Sequence, residues 1–367
     1  VKNAAIAFLL LTLGATVWWF VFVGRPHLPS DTNATLDAFR PTSDVQIYVG
    51  GEKLLFLEDP NLQRLLAERY HLRVNPVKAG SVEMVRDLDP SGKDALWPST
   101  DIAVDFFRMR GMKSLKTDIV FNSPIVIYTG WPIANALIRE GLVQRRDGGD
   151  YVVDLARLLD LIAQRRAWKD LGLPFFGAVT IRCTDPTRSN SGNMFAGLVA
   201  NLFNDSEVVD EQHVDAILPK LQAFFARLGM MERSSEDIFR KFIATGVNNS
   251  MVVGYENQLV EFLLANPNER ETILRSVCVL YPQPTVWSSH PIIALTPNGS
   301  RLIDAMRDKD IQRLAWVRHG FRSGLPGVSQ DPALLNIPFI PTTIDSVIPL
   351  PGARAMDRIV SALETPP

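Results

Sequence analysis

The sequence is poor in the residues that usually announce chemistry. Its 367 residues include two cysteines and five histidines. His27, His71, His213, His290 and His319 are scattered without ligand spacing, so neither a metal site nor a cofactor is read from them. Cys183 and Cys278 cannot form a disulfide framework. An exported location would permit one bond between them, worth about 4–5 kcal/mol by loop entropy, but two buried free thiols are the preferred reading. Charge of one sign is also lacking: a formal net charge of −2 leaves no footprint for nucleic acid. There is no repeat at a solenoid period and no low-complexity tract. No Gly-x-Ser-x-Gly elbow, Ser-x-x-Lys spacing or nearby histidine supports the hydroxyl residues Ser189 or Ser191 as a nucleophile. A hydrolase is therefore the weakest reading, and the protein is read as a non-enzyme.

One long apolar run is present. Ala4 to Val23 carries Trp18 and Trp19 and is flanked by Lys2 and Arg25. At 1.5 Å per residue such a run spans about 30 Å of helix, the hydrocarbon thickness of a bilayer. It is longer than a secretory h-region and ends at Gly24-Arg25-Pro26, a poor cleavage site. An uncleaved transmembrane anchor (1–24) is preferred over a cleaved signal peptide, with a proline-marked linker over 25–43. The few flanking charges barely decide orientation. An N-terminal anchor ahead of a folded domain most often exports that domain, so the expectation is a single-pass protein of the cell membrane, anchored through residues 4–23 with its body extracytoplasmic.

The body alternates strand and helix. Ser43–Val49 alternates apolar and polar residues as a strand should; Leu62, Leu65, Leu66 and Tyr70 mark a helix; His71–Val77 is a second strand. Strand-end turns follow at Gly50–Lys53, Gly80–Ser81 and Ser99–Asp101. Alternation of this kind argues for parallel strands with crossover helices, whose ligand crevice lies off the strand C-terminal ends. Two long extended runs, Ile119–Thr129 and Val286–Leu295, each contain a proline, Pro124 and Pro291, which suggests an edge or a bend. Val152–Arg166, Ser206–Leu228 and Arg301–Phe321 have helical spacing, and the proline-rich Asp331–Pro351 is expected to wrap the surface.

The most informative stretch is Thr180–Asn193. Phe175–Cys183 reads as a short strand, and Met194, Phe195, Leu198, Val199, Leu202 and Phe203 recur at helical spacing. Between them lies a turn of small hydroxyl and amide residues, Thr184-Asp185-Pro186-Thr187-Arg188-Ser189-Asn190-Ser191-Gly192. Strand, polar turn and helix start together aim free backbone N–H groups at one point, where an anion or acceptor group would be held. The same residues would equally serve as an ordinary helix cap.

This Asp-Pro turn with Ser-x-Ser-Gly, the earlier turns, Gly254-Tyr255-Glu256-Asn257, Leu280-Tyr281-Pro282-Gln283-Pro284 and the closing Gly320-Phe321-Arg322 together resemble the type II periplasmic solute-binding proteins, with the oxyanion-binding members nearest. The resemblance covers about residues 44 to 324. It implies an α/β, two-lobed fold, with lobe 1 over 44–128 plus 288–330, lobe 2 over 129–287, and a C-terminal tail over 331–367 packing on the surface. It implies a cleft to which lobe 1 offers Gly51, Lys53, Ser81, Ser99 and Thr100, and lobe 2 offers Thr184, Arg188, Ser189, Ser191 and Tyr255. Several have plainer readings: Lys53 is neutralised by Glu52, Arg188 is solvated, and Ser189 and Ser191 cap a helix. The function implied is closure over a small solute, an oxyanion among the candidates, for delivery to an ABC permease. A membrane-anchored sensor or scaffold of the same fold is the alternative.

Overall fold

The computed structural model describes residues 41–247 and 250–364. The expected anchor falls outside them. Among the described residues no helix is long and apolar enough to cross a membrane.

Alternation builds β1 (Ser43–Val49): Val45, Ile47 and Val49 are fully buried on one face, while Asp44, Gln46 and Tyr48 take the other, with Tyr48 half-buried against a second core cluster. Helices α1 (Leu54–Glu58) and α2 (Pro60–Tyr70) carry the chain to β2 (Leu72–Lys78), parallel to β1. Asp59 caps α2 by accepting from Asn61 N at 2.8 Å, Pro60 opens its first turn, and His71 ends it in the left-handed region at φ 50°. The short α3 (Glu83–Arg86) leads to β3 (Ala95–Trp97), which also lies parallel to β1, and α4 (Ile102–Met109) follows.

The next strand, β4 (Lys116–Gly130), runs for 15 residues. It is followed by α5 (Trp131–Arg139), β5 (Val143–Arg145), β6 (Tyr151–Asp154), α6 (Leu155–Ala163), α7 (Asn190–Phe203), α8 (Val214–Leu228) and α9 (Ser235–Lys241). Then come β7 (Met251–Tyr255), α10 (Glu256–Ala265), α11 (Arg270–Ser276), β8 (Val277–Gln283), β9 (Trp287–Ala294), α12 (Pro297–Met306), α13 (Lys309–His319), β10 (Arg322–Ser323) and α14 (Ala353–Glu364). The sheet order is β2-β1-β3-β9-β4-β8-β6-β5, with β7 and β10 also bonded to β4.

Two sheet halves therefore share β4. Its first part pairs with β9 and β10, and its second with β7 and β8. Pro124 stands at the changeover, opposite Trp287 at the end of the β9 register, just before Ile125 takes up Tyr255 of β7. The missing N–H thus falls where the ladder changes partners, the bend that its position in the sequence suggests.

Several local expectations are corrected. Phe175–Cys183 is not a strand: it makes isolated bridges, Ala167 to Ala178 and Arg182 to Val252, and Gly177 at φ 85° breaks its extended course. Val152–Arg166 divides into β6 and α6 because Asp154 caps the helix, accepting from Arg157 N at 3.1 Å. The helix expected from Ser206 starts at Val214, since Asp205 and Ser206 both take positive φ. Arg301–Phe321 is two helices, because Asp308 caps α13 by accepting from Asp310 N at 2.8 Å. The tail does more than cover a surface: Leu335, Ile337, Phe339 and Ile340 are buried, and α14 adds Met356 and Ile359 to the core.

Candidate ligand cleft

A cleft of about 570 Å³ opens where the turns after β1 and β2 face the Asp185–Asn193 turn and the end of β7. Five of the residues expected to face a ligand line it: Gly51, Ser81, Arg188, Ser189 and Tyr255. The other five, Lys53, Ser99, Thr100, Thr184 and Ser191, are buried behind the wall.

The wall formed by the turns after β1 and β2 rests on a buried charge cluster. Lys53 is wholly buried; its ammonium is ion-paired with Glu52 and donates to Ser99 Oγ at 2.7 Å. It also lies 3.1 Å from His290 Nδ1. Burial alone would raise the Glu52 carboxyl, but the Lys53 charge, the neighbouring His290 and the hydrogen bonds from Lys53 and Ser99 together outweigh it and hold the group at about 2. Burial and the neighbouring ammonium push His290 well below its ordinary value, so the imidazole is neutral. Its Nδ1 then accepts from Lys53, which places the ring proton on Nε2, 3.3 Å from Ser288 Oγ. Ser81 is held by its hydroxyl, which accepts from Ser99 N at 2.9 Å.

The opposite wall is the turn into α7. Asp185 holds the turn, accepting from Thr187 N at 2.9 Å. Thr184 and Ser191 share a hydrogen bond of 2.7 Å, and Ser191 reaches Ser189 at 3.2 Å. Gly192 is required here: a Cβ would stand 2.2 Å from the Thr184 carbonyl oxygen. No side chain caps the first turn of α7, so its first amides have no side-chain partner. Arg188 is exposed and lies 3.7 Å from Asp185.

Asn190 joins the two walls. Its amide donates to the Ser99 carbonyl and to the Tyr255 hydroxyl, each at 3.0 Å, while its own Oδ1 has no partner. Asn190 and Glu52 are absent from the residues expected to face a ligand. Asn190 sits inside the polar turn, so its position at the first residue of a helix was the available signal. Glu52 is legible as the neighbour that neutralises Lys53, but its contact with Ser99 depends on long-range packing that no local pattern carries.

Further carboxylates enter the wall. Glu261 of α10 bonds His319 Nδ1 at 2.9 Å, and His319 Nε2 reaches Asp59 at 3.2 Å. Burial raises the Glu261 carboxyl to about 7, against the lowering effect of His319. A folded value above the unfolded one means that its contribution is full below about 4.5 and is lost as pH rises through about 7. Glu261→Gln is therefore expected to flatten the urea midpoint between pH 5.5 and pH 8. At pH 8 the variant should be more stable than the parent by about 1–2 kcal/mol; an unchanged slope would show that Glu261 titrates normally.

Among the described residues no group of histidine, cysteine, aspartate and glutamate could hold a metal ion. Cys183 and Cys278 are buried free thiols, both pushed up by burial.

No family profile matches the sequence, and no curated protein matches it either. Solved structures do match the fold. The substrate-binding protein of an ABC transporter from Agrobacterium tumefaciens superposes with a TM-score of 0.57 at 12% identity, over 89% of this chain and 96% of its own. Iron-bound HitA from Pseudomonas aeruginosa gives 0.57 at 11% identity, over 88% and 99%. The sulfate-binding protein SubI from Mycobacterium tuberculosis gives 0.51 at 14%, over 88% and 96%. The chain thus has the mixed α/β, two-lobed fold of the type II solute-binding proteins.

Proposed function

We propose that this protein is an extracytoplasmic solute-binding protein that closes two lobes, 44–128 plus 288–330 and 129–287, over a small polar solute. In this reading residues 4–23 tether it to the membrane, and an ABC permease receives the solute. The observation that carries the reading is Asn190, which bridges the two walls of the cleft and keeps an unpartnered Oδ1 there. A buried acceptor without a partner is costly unless a ligand donor meets it. The fold neighbours reported above carry or bind solutes, and no nucleophile–base pair is needed for this role.

The solute's anionic group is placed against Ser189, Arg188 and the opening turn of α7, as an oxyanion or carboxylate. Glu52 and Glu261 elsewhere in the wall favour a solute that also offers hydroxyl or ammonium donors. A thermal-shift screen of oxyanions, amino acids and sugars tests this. A ligand at a hundredfold excess over Kd adds about 2.7 kcal/mol. Asn190→Ala is expected to weaken the best hit by about tenfold, the loss of one or two hydrogen bonds in a desolvated site, and Arg188→Ala to weaken anionic hits selectively. Silence across all classes would sink the solute-binding reading and leave the tethered scaffold.

A further inference from the structure

The structure assigns a role to α14: it is a clasp across the two lobes that must part from lobe 1 before solute can enter or leave. The inference rests on the solute-binding reading for what enters, whereas the clasp itself is measured without ligand.

The apolar face of α14, with Met356 and Ile359, lies in a single core cluster. That cluster holds Met84, Val85, Ile102 and Phe107 from α3 and α4 on one side, and Phe195, Leu198, Leu221 and Phe224 from α7 and α8 on the other. In a protein whose lobes part freely, each lobe buries its own apolar surface. Here the same helix covers both. The approach to α7 is close enough to need a glycine, since a Cβ on Gly197 would meet Leu350 at 2.8 Å and Met356 Sδ at 2.9 Å.

The polar attachments are unequal. Among the described residues one ion pair reaches toward lobe 1, Arg86 to Asp357 at 3.0 Å, with both side chains more than a third exposed. Toward lobe 2 there are several: Arg358 pairs with Asp215 and donates to the Glu211 carbonyl at 2.8 Å, Arg354 lies 3.5 Å from Glu211, and Gln222 donates to the Ala362 carbonyl at 2.7 Å. The weaker side is therefore that of α3 and α4, and α14 travels with α8 when the lobes part. Its far end also walls the ligand space. Val360 and Glu364, together with Gly80–Glu83 and Pro186–Asn190, enclose a chamber of about 330 Å³. Ser81, Arg188, Ser189 and Asn190 line both this chamber and the cleft, so detachment of α14 from α3 opens a side of the same site.

The test uses the full chain carrying spin labels at Arg64→Cys and Lys169→Cys, both exposed, with the two native thiols buried. Asp357→Arg sets like charge against Arg86 and is exposed enough not to threaten folding. It is expected to raise the population at longer inter-label distance by about two- to fivefold, the range of an exposed ion pair. Adding Arg86→Asp should restore the parent distribution. A chain ended after Pro351 should shift further in the same direction. An unchanged distribution in both Asp357→Arg and the shortened chain would overturn the clasp; so would a shift that the charge exchange fails to reverse. If no solute binds but the distances still respond, the solute-binding reading fails and the clasp stands.

Discussion

Replacing Arg322 by methionine is expected to lower stability by about 3–5 kcal/mol, the cost of leaving one member of a buried ion pair alone. Arg322 and Glu256 are both buried, joined by bonds of 2.7 and 2.9 Å, and Tyr281 donates to the same carboxylate at 2.7 Å. The guanidinium also donates to the Pro341 carbonyl at 2.7 Å and the Thr342 carbonyl at 3.1 Å, so it ties β10 to α10, β8 and the C-terminal segment together. The variant strands a carboxylate and orphans two carbonyls. The double variant Arg322→Met with Glu256→Leu should recover a substantial part of the loss, because removing both charges lifts the desolvation penalty. Urea denaturation of the two variants checks this. Equal losses in the single and double variants would place the effect in packing rather than charge.

Lys53→Met should show an effect of similar size, about 3–5 kcal/mol at neutral pH, with a reversed dependence on pH. In the parent, Glu52 is held at about 2, below its ordinary value of 4.5. Its contribution is present above about 4.5 and is lost as pH falls through about 2. Without Lys53, burial is the dominant influence and raises the Glu52 carboxyl above its unfolded value. Stability from that group is then present below about 4.5 and lost as pH rises. The measurement is the urea midpoint from pH 3 to pH 8, where parent and variant should slope in opposite directions. Glu52→Gln added to Lys53→Met should remove the slope. Parallel slopes would show that Lys53 does not govern Glu52.

Much of the frame can be read before any coordinates. β1 follows from alternation of Val45, Ile47 and Val49, and the strand-end turns that carry Gly51 and Ser81 follow from the helix signals behind them. What pattern reading cannot see is an interruption made by a single polar residue. Asp308 divides a helical stretch by offering its own carboxylate as a cap, and the apolar period runs across it unbroken. The site divides the same way. Ser189 and Tyr255 stand at element ends, where geometry predicts exposure to a ligand, and they line the cleft. Lys53 stands at such an end too, yet it is fully buried by Glu52, Ser99 and His290, partners that are 1, 46 and 237 positions away in the chain. Only the first of these lies within the reach of local reading.

The order in which β4 finds its neighbours bears on how the chain is made. Among the described residues, every strand bonded to β4 lies between Met251 and Ser323, more than a hundred residues further along the chain. No nascent chain shorter than that can complete either half of the sheet, and until then β4 presents two unpaired edges rich in isoleucine and valine. Pairing at such separation is slow and exposes aggregation-prone edges meanwhile. Completion of the sheet is thus deferred until the last third of the chain is made, and β4 stays available to any holdase or translocation machinery until then.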